Sequence, residues 1–455
     1  MGAASSRLDR RGATIVAPAT PPGRSALALL RLSGPEATGI AHRLGVPAAP
    51  APRTATRVRL HACDAPSEPL DDALVTYFPA AQSPTGEALV EFSVHGGAYV
   101  IRAVQAALIA AGATPARPGE FTERALRHGK IDLLQAEAIA DVIDARSRAT
   151  HHAALRQLSG TLTRALADLR ESLVQVEALL AYEIDFPEED DGPQPRARVT
   201  AAARAVHEAL ARLGATLPAA ELGREGVPVV LAGAANAGKS SLFNALLGDA
   251  RAIVSEIPGT TRDALEALVD DDPYPWRLVD TAGLRDSDDA LERLGVEVSA
   301  RWLARAGVVL VCAESDEALM RTETAVAART SSARVLVRTK ADRDETQRRD
   351  VVSVSALDGR GLDALRAAVR TTIATAHPPP SEDQPVVTRA RHAVAVTRAR
   401  EEVAAFIAAW EADALPAPVA GTHLRAAILA LDELTGAIDV EDVLERVFRS
   451  FCIGK

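Results

Sequence analysis

Aromatic side chains are nearly missing: Phe, Trp and Tyr make up 3% of the 455 residues. The cores must then be built mostly from Ala, Leu and Val. Cysteine is scarce too. The three thiols, Cys63, Cys312 and Cys452, are odd in number and far apart. That excludes a disulfide framework and fits a reducing cytoplasm. No apolar run reaches the ~18 residues a membrane span needs, so no stable membrane insertion is expected. The start, MGAASSRLDRR, carries charge but no apolar h-region, and no signal peptide is read there. Met-Gly with Ser6 only weakly matches a myristoylation motif. Positive charge is not in excess either: the net charge is −10. A protein that holds nucleic acid through its whole surface is normally basic, so any such contact here uses a local patch. One candidate is TRARHAVAVTRAR, with Arg389, Arg391, Arg398 and Arg400 on a helix. A solvated helix face explains that run as well.

What is present is ordinary globular material, 47% apolar and 25% charged. The length exceeds one core, so two or three domains are expected. A disordered start is expected over 1–11. Residues 12–120 mix short strand patterns (ATIVAPAT, SALALLRLSG, DALVTYFP, ALVEFSVHGG) with one helix, AYVIRAVQAALIAAGA, which reads as a small α/β domain. From Phe121 the period changes. Leu133, Ala136, Ala140 and Ile143 recur at helical spacing. Leu155, Leu158, Leu162, Leu166, Leu169, Leu173, Val176 and Leu180 continue one stripe of long amphipathic helices. FPEEDDGPQPR interrupts it as an acidic loop, and helix resumes near Val199. Strands alternate with helices over 225–375, AHPPPSEDQP is a linker, and the chain from about Val386 is helical. The economical topology is an α/β domain, then a long-helix domain (121–224 and 376–455) interrupted by an inserted Ras-like P-loop domain (225–375). The fold class is therefore α/β and all-α, multidomain.

VPVVLAGAANAGKSSLFNALLG is the strongest chemical signal. A β-branched run feeds G-x-x-x-x-G-K-S, and a helix follows, the context this motif requires. The loop, with Asn236, Ala237, Gly238 and Ser241 around it, turns amides toward phosphate oxygens. Lys239 is placed for the β/γ-phosphates, Ser240 can ligate magnesium, and the helix start adds its positive dipole end. Companions follow in order. WRLVDTAG ends a strand in Asp280-Thr281-Ala282-Gly283. The aspartate would hold magnesium through its shell and the Gly283 amide would sense a γ-phosphate. Between them lies SEIPGTTRD (Ser255, Glu256, Ile257, Pro258, Gly259, Thr260, Thr261), where Thr261 could close over magnesium. ARVLVRTKAD places Thr339-Lys340-Ala341-Asp342 after another strand, and Ser355-Ala356 follows in VVSVSAL. Asp342 can accept from the N1–H and N2–H₂ edge of guanine. Adenine would leave it unpaired, and such a site can reject the wrong base strongly. Together these read as a GTPase, with an ATPase as the alternative. One departure stands out: Thr339 occupies a position where GTPases usually have Asn, which ties the base loop to the phosphate loop. Thr keeps a hydroxyl but is shorter, so GTP binding is expected to survive with weaker affinity.

From ATIVAPATPPGRSALALLRLSG through ARPGEFTERALRHGKIDLLQAEAIADVIDA to the terminal FCIGK, the chain resembles the MnmE (TrmE) family of bacterial tRNA modification GTPases. The resemblance covers all but the first ten or so residues. It implies a homodimer that joins an FAD-dependent partner of the MnmG (GidA) type in a heterotetramer. That assembly modifies C5 of the wobble uridine of certain tRNAs, using GTP, magnesium, potassium and 5-formyl- or methylene-tetrahydrofolate. It assigns potassium to Asn236, Ser255, Ile257 and Thr260, and magnesium to Ser240 and Thr261. Leu284 stands where a water-orienting Gln is common; the family's equivalent is Glu292, with Arg285 steadying the same switch. On its own Glu292 reads as one acid on a solvated helix. The family's folate contacts fall on Arg31, Glu91, Lys130 and Lys455, in an N-terminal domain that also dimerises. His95 in VHGG is either an acid/base group or a structural histidine. A switch-only RNA-binding GTPase of the ribosome-assembly kind is the alternative of a different class.

The last four residues, Cys452-Ile453-Gly454-Lys455, have the outline of a C-a-a-X box. Lys is not a usual final residue and nothing else calls for a membrane, so prenylation is not expected. Phe451 and Ile453 are expected to dock the last helix on a core. Two roles stand for Cys452, a packed thiol or a participant in one-carbon chemistry.

Overall fold

The computed structural model describes residues 12–63, 67–185, 196–248, 265–280, 301–343, 348–381, 384–436, 451 and 454. The chain divides into two compact units, residues 1–140 with 432–455, and residues 141–431.

In the first unit, β1 (Ile15–Pro18), β2 (Leu27–Ser33), β3 (Thr56–His61), β4 (Pro69–Phe78), β5 (Leu89–His95) and β6 (Thr114–Pro115) form one sheet in the order β3-β4-β5-β2-β1-β6. All pairings are antiparallel except β1 with β6. Helices α1 (Ala37–Arg43) and α2 (Ala98–Ala110) cover one face. The alternation of the strands supplies that core: Leu30, Leu32, Val90, Phe92 and Val94 point inward and are buried. The strand β3 was not read from sequence. Its apolar residues Val58 and Leu60 alternate with Arg57 and Arg59, and both arginines pair with Asp72 across the strand pair.

Helix α3 (Glu120–Arg127) buries charge as well as Phe121. The Arg124 guanidinium donates to Glu87 Oε2 at 2.7 Å, Glu120 Oε1 at 3.2 Å and the Ala13 carbonyl at 2.9 Å. A buried charge persists when it is paired in this way. Residues 121–140, read above as the start of the helical domain, thus group with the first unit, because Phe121 and Arg124 are buried there. In α4 (Leu133–Asp144), Leu133 and Ala136 pack against Phe451, as expected of that residue; Ile453 and residues 437–450 lie outside the described residues. Gly454 follows with φ 97°, and a Cβ there would lie 2.0 Å from the Pro18 carbonyl oxygen. Only glycine fits so close to β1.

In the second unit the expected leucine stripe is two helices, α5 (Arg148–Leu158) and α6 (Thr161–Asp185). They part at Ser159-Gly160, where the Ser159 hydroxyl donates back to the Arg156 carbonyl. Leu155 is 42% exposed although it lies on the sequence stripe, and Ile143 is 46% exposed. Helices α7 (Arg196–Gly214) and α8 (Leu217–Glu225) lead into a second sheet. This sheet comprises β7 (Val227–Ala232), β8 (Leu265–Val269), β9 (Trp276–Asp280), β10 (Val308–Ala313), β11 (Ala333–Arg338) and β12 (Val352–Ser353), in the order β12-β11-β10-β7-β9-β8. Only β8 pairs antiparallel. Helices α9 (Lys239–Gly248) and α11 (Leu362–Ala376) pack on one face, and α10 (Asp316–Ala327) on the other. Helices α12 (Ala390–Glu411) and α13 (Ala417–Thr435) complete the unit, with α12 packed on α7.

The turn between β8 and β9 carries three consecutive carboxylates. Asp272 Oδ1 accepts from the Arg148 amide, at the start of α5, at 2.6 Å. Buried Asp271 pairs with Arg370 of α11, and Asp270 lies 3.9 Å from Arg146. The hairpin is thereby fastened to the helices. Among the described residues no helix is long and apolar enough to cross a membrane.

Candidate functional site

The site grows from the end of β7, whose residues are almost all buried. Gly233 leaves the strand beside Cys312 of β10. A Cβ at 233 would stand 2.3 Å from the Cys312 carbonyl oxygen, so the loop can leave the sheet only with glycine there. The loop then folds around its own lysine. Lys239, 5% exposed at the start of α9, donates from Nζ to the carbonyls of Gly233 (3.0 Å) and Ala234 (2.7 Å). Asn236, Ser240 and Ser241 are exposed around it, while Ala237 is buried.

Asp280 ends β9 fully buried, in register with Leu231 of β7. A hydroxyl (Ser240) and a carboxylate (Asp280) are hard oxygen donors and fit magnesium. Cys312 beneath the loop takes no part: burial pushes its thiol up to about 12, with Lys239 opposing and Asp280 reinforcing the shift.

The base loop follows β11. The Thr339 hydroxyl donates to the Ala237 carbonyl at 2.8 Å, and its amide donates to Ala313 at 2.9 Å. The brace anticipated for Asn is therefore made by Thr. Lys340, with φ 58°, forms an ion pair with Glu314, a residue that sequence reading missed. The Ala341 amide donates to Val354 and the Ser355 amide to Arg360, which fixes the two base-facing loops together. Asp342 is exposed at the rim. Ser255, Glu256, Ile257, Pro258, Gly259, Thr260, Thr261, Thr281, Ala282, Gly283, Arg285 and Glu292 lie outside the described residues.

In the first unit, Arg31 and Glu91 face each other across β2 and β5, with Arg31 Nε donating to Glu91 Oε1 at 2.9 Å. The pair sits on the face opposite α1 and α2 and is half-buried. An acid and a base side by side suit a ligand carrying both an N–H edge and anionic groups. Lys130 does not join that pair; its Nζ donates to the Ala81 carbonyl at 2.8 Å. Cys452 and Lys455 lie outside the described residues. His95 is pinned twice by Asp71: its Nδ1 lies 2.6 Å from Oδ1 and its amide donates to Oδ2 at 2.7 Å. In the basic run, Arg389 precedes α12 and pairs with Asp141 at 2.7 Å, His392 is fully buried, and Arg398 is exposed.

A phosphate loop locked to a base loop, beside a strand that ends in a buried aspartate, defines residues 227–376 as a guanine-nucleotide-binding domain of the P-loop GTPase class. Comparison with known proteins carries this further. Residues 14–130 match the profile "GTP-binding protein TrmE N-terminus" and residues 133–452 match the MnmE helical domain. A protein of Acidiphilium cryptum named tRNA modification GTPase MnmE is 42% identical over 97% of this chain and 98% of its own length. One of the same name from Moorella thermoacetica is 38% identical over 97% and 99%. The chain belongs to the MnmE family. Among solved structures, the G domain of the T. maritima FeoB iron transporter is 26% identical, covering 32% of this chain and 98% of that one with a TM-score of 0.27, too low to bear on the fold.

Proposed function

We propose that the chain is a potassium-activated GTP hydrolase that acts in tRNA modification. In this reading it works as a homodimer, in a heterotetramer with an FAD-carrying partner of the MnmG type. The pair modifies C5 of the wobble uridine of certain tRNAs in the cytoplasm, with a carbon drawn from 5-formyl- or methylene-tetrahydrofolate. The observation that carries the reading is family membership over 97% of the chain, with the phosphate and base loops both formed. A ribosome-assembly switch is disfavoured by the match of residues 14–130 to a TrmE N-terminus.

By chain segment, the domain division that goes with this reading is an N-terminal folate and dimerisation domain (12–120), a helical domain (121–224 and 376–455) and an inserted G domain (225–375), although residues 121–140 and 432–455 group with the first unit. In the G domain, the loop amides and Lys239 hold the phosphates, and Asp342 reads the guanine N1–H and N2–H₂. Ser240 and Thr261 would hold magnesium, with Asp280 gripping its water shell; Asn236, Ser255, Ile257 and Thr260 would hold potassium. Bound there, the two ions supply positive charge beside the γ-phosphoryl oxygens. Glu292 positions the attacking water, and Arg285 steadies the switch around it. In the N-terminal domain, Glu91 takes a pterin N–H edge while Arg31, Lys130 and Lys455 meet anionic groups. The Arg31 bond sets the orientation of the Glu91 carboxylate.

Mass spectrometry of tRNA from cells lacking this chain is expected to show wobble uridine unmodified at C5, restored by re-expression. Fully modified uridine would sink the tRNA assignment. GTP turnover in potassium equal to that in sodium would remove the potassium assignment alone.

A further inference from the structure

Thr339 does more than replace an asparagine. An Asn side chain has two amide hydrogens, whereas a Thr hydroxyl has one. Thr339 is 4% exposed, and its Oγ1 lies 2.8 Å from the Ala237 carbonyl oxygen and 3.2 Å from the Ala313 carbonyl oxygen. Both neighbours are pure acceptors. The one hydrogen is therefore committed inside the protein, and Oγ1 has only lone pairs left. The two loops are in van der Waals reach: a Cβ on Gly238 would lie 3.4 Å from the Thr339 Cβ. Backbone hydrogen bonds anchor the loop on both sides: the Thr339 amide donates to the Ala313 carbonyl and the Ala341 amide to the Val354 carbonyl.

Guanine presents two acceptors, N7 and O6, on its major-groove edge, while its donors N1–H and N2–H₂ lie on the Watson–Crick edge. An acceptor cannot bond to a side chain that has no hydrogen to offer. We infer that this G domain recognises guanine without reading N7, so that 7-deazaguanine nucleotides, in which N7 is a C–H, are ligands of the same rank as guanine nucleotides. Base selection then rests on the N1/N2 edge at Asp342 and on O6 at the Ser355–Ala356 loop. Thr339 is a positioning residue: it fastens the base loop to the phosphate loop and leaves the imidazole edge of the base alone. The inference rests on the guanine-nucleotide reading of the domain.

The test is competition binding to the full-length protein with GDP, 7-deaza-GDP and ADP. The wild-type chain is expected to bind GDP and 7-deaza-GDP within about twofold of each other, both far above ADP. Thr339→Asn adds a second donor and is expected to create a preference for GDP of about three- to tenfold, the scale of one neutral hydrogen bond. Thr339→Val removes the brace and should weaken both guanine ligands by a common factor, and Thr339→Ser should restore them. A wild-type preference for GDP over 7-deaza-GDP beyond about fivefold would mean that N7 is read, and overturns the inference while leaving guanine recognition standing. Undiminished binding by Thr339→Val would overturn the positioning role. Equal binding of ADP and GDP would overturn the guanine reading itself, and the inference with it.

Discussion

The phosphate loop and the sheet face of the first unit are built from different materials. At the phosphate loop the backbone does most of the work. Gly233 must lack a Cβ, and Lys239 holds the loop by its own carbonyls. On the sheet face the side chains do it: Arg31 and Glu91 are 60 residues apart and meet because β2 and β5 pair in register. A site made of local backbone tolerates almost no change at a glycine and much at its neighbours. A site made of side chains on a sheet can lose one group and keep its frame.

The largest effect that separates the two is expected from Gly233→Val. Its branches have no room beside Cys312, so nucleotide binding should fall below detection while the first unit keeps its fold. Measured nucleotide affinity near wild type would break the close-approach argument. Next is Glu292→Ala, expected to leave GTP binding intact and lower turnover by about 10²- to 10³-fold, within the range of a positioned acid/base group. Single-turnover hydrolysis at an unchanged rate would remove that glutamate from the reaction. Arg31→Ala should weaken tetrahydrofolate binding by about tenfold, one charge-assisted hydrogen bond, with GTP turnover of the unloaded protein unaffected. Calorimetry showing unchanged folate affinity would dissociate the pair from that ligand.

The smallest effect concerns Glu120 in the first unit. Burial would push its carboxyl up, but the Arg117 amide and the Arg117 and Arg124 charges outweigh that and leave it below its ordinary value of 4.5. A carboxyl held low when folded stabilises the fold above the unfolded value, and the contribution is lost as pH falls through the folded value. Stability should therefore decline as pH drops below about 4.5, and Glu120→Gln should flatten that part of the profile. Thermal melts between neutral and acid pH that superimpose for the two proteins would discard the assignment.

The contrast also explains what the sequence could reveal. The phosphate loop was legible because a backbone site writes its glycines and lysine in one run, Gly233 to Ser240. The Thr339 bond to Ala237 spans 102 residues and leaves no local pattern. Asp71 beneath His95, and Glu314 beside Lys340, were invisible for the same reason. The helices were read as helices, but the stripe from Leu155 to Leu180 ran through Ser159-Gly160. Periodicity continues across a turn that happens to preserve spacing. The strand β3 was legible and was passed over: Arg57 and Arg59 alternate with buried Val58 and Leu60, the period-two pattern of a half-buried strand.

The carboxylate turn between β8 and β9 carries a mechanical consequence. β9 is five residues long, about 17 Å of extended chain. One end is Asp280, buried beside the phosphate loop; the other runs into the turn that Arg148 and Arg370 grip. The strand is a tie rod. Through the short turn at residues 270–275 it joins the buried aspartate of the nucleotide site to the first turn of α5.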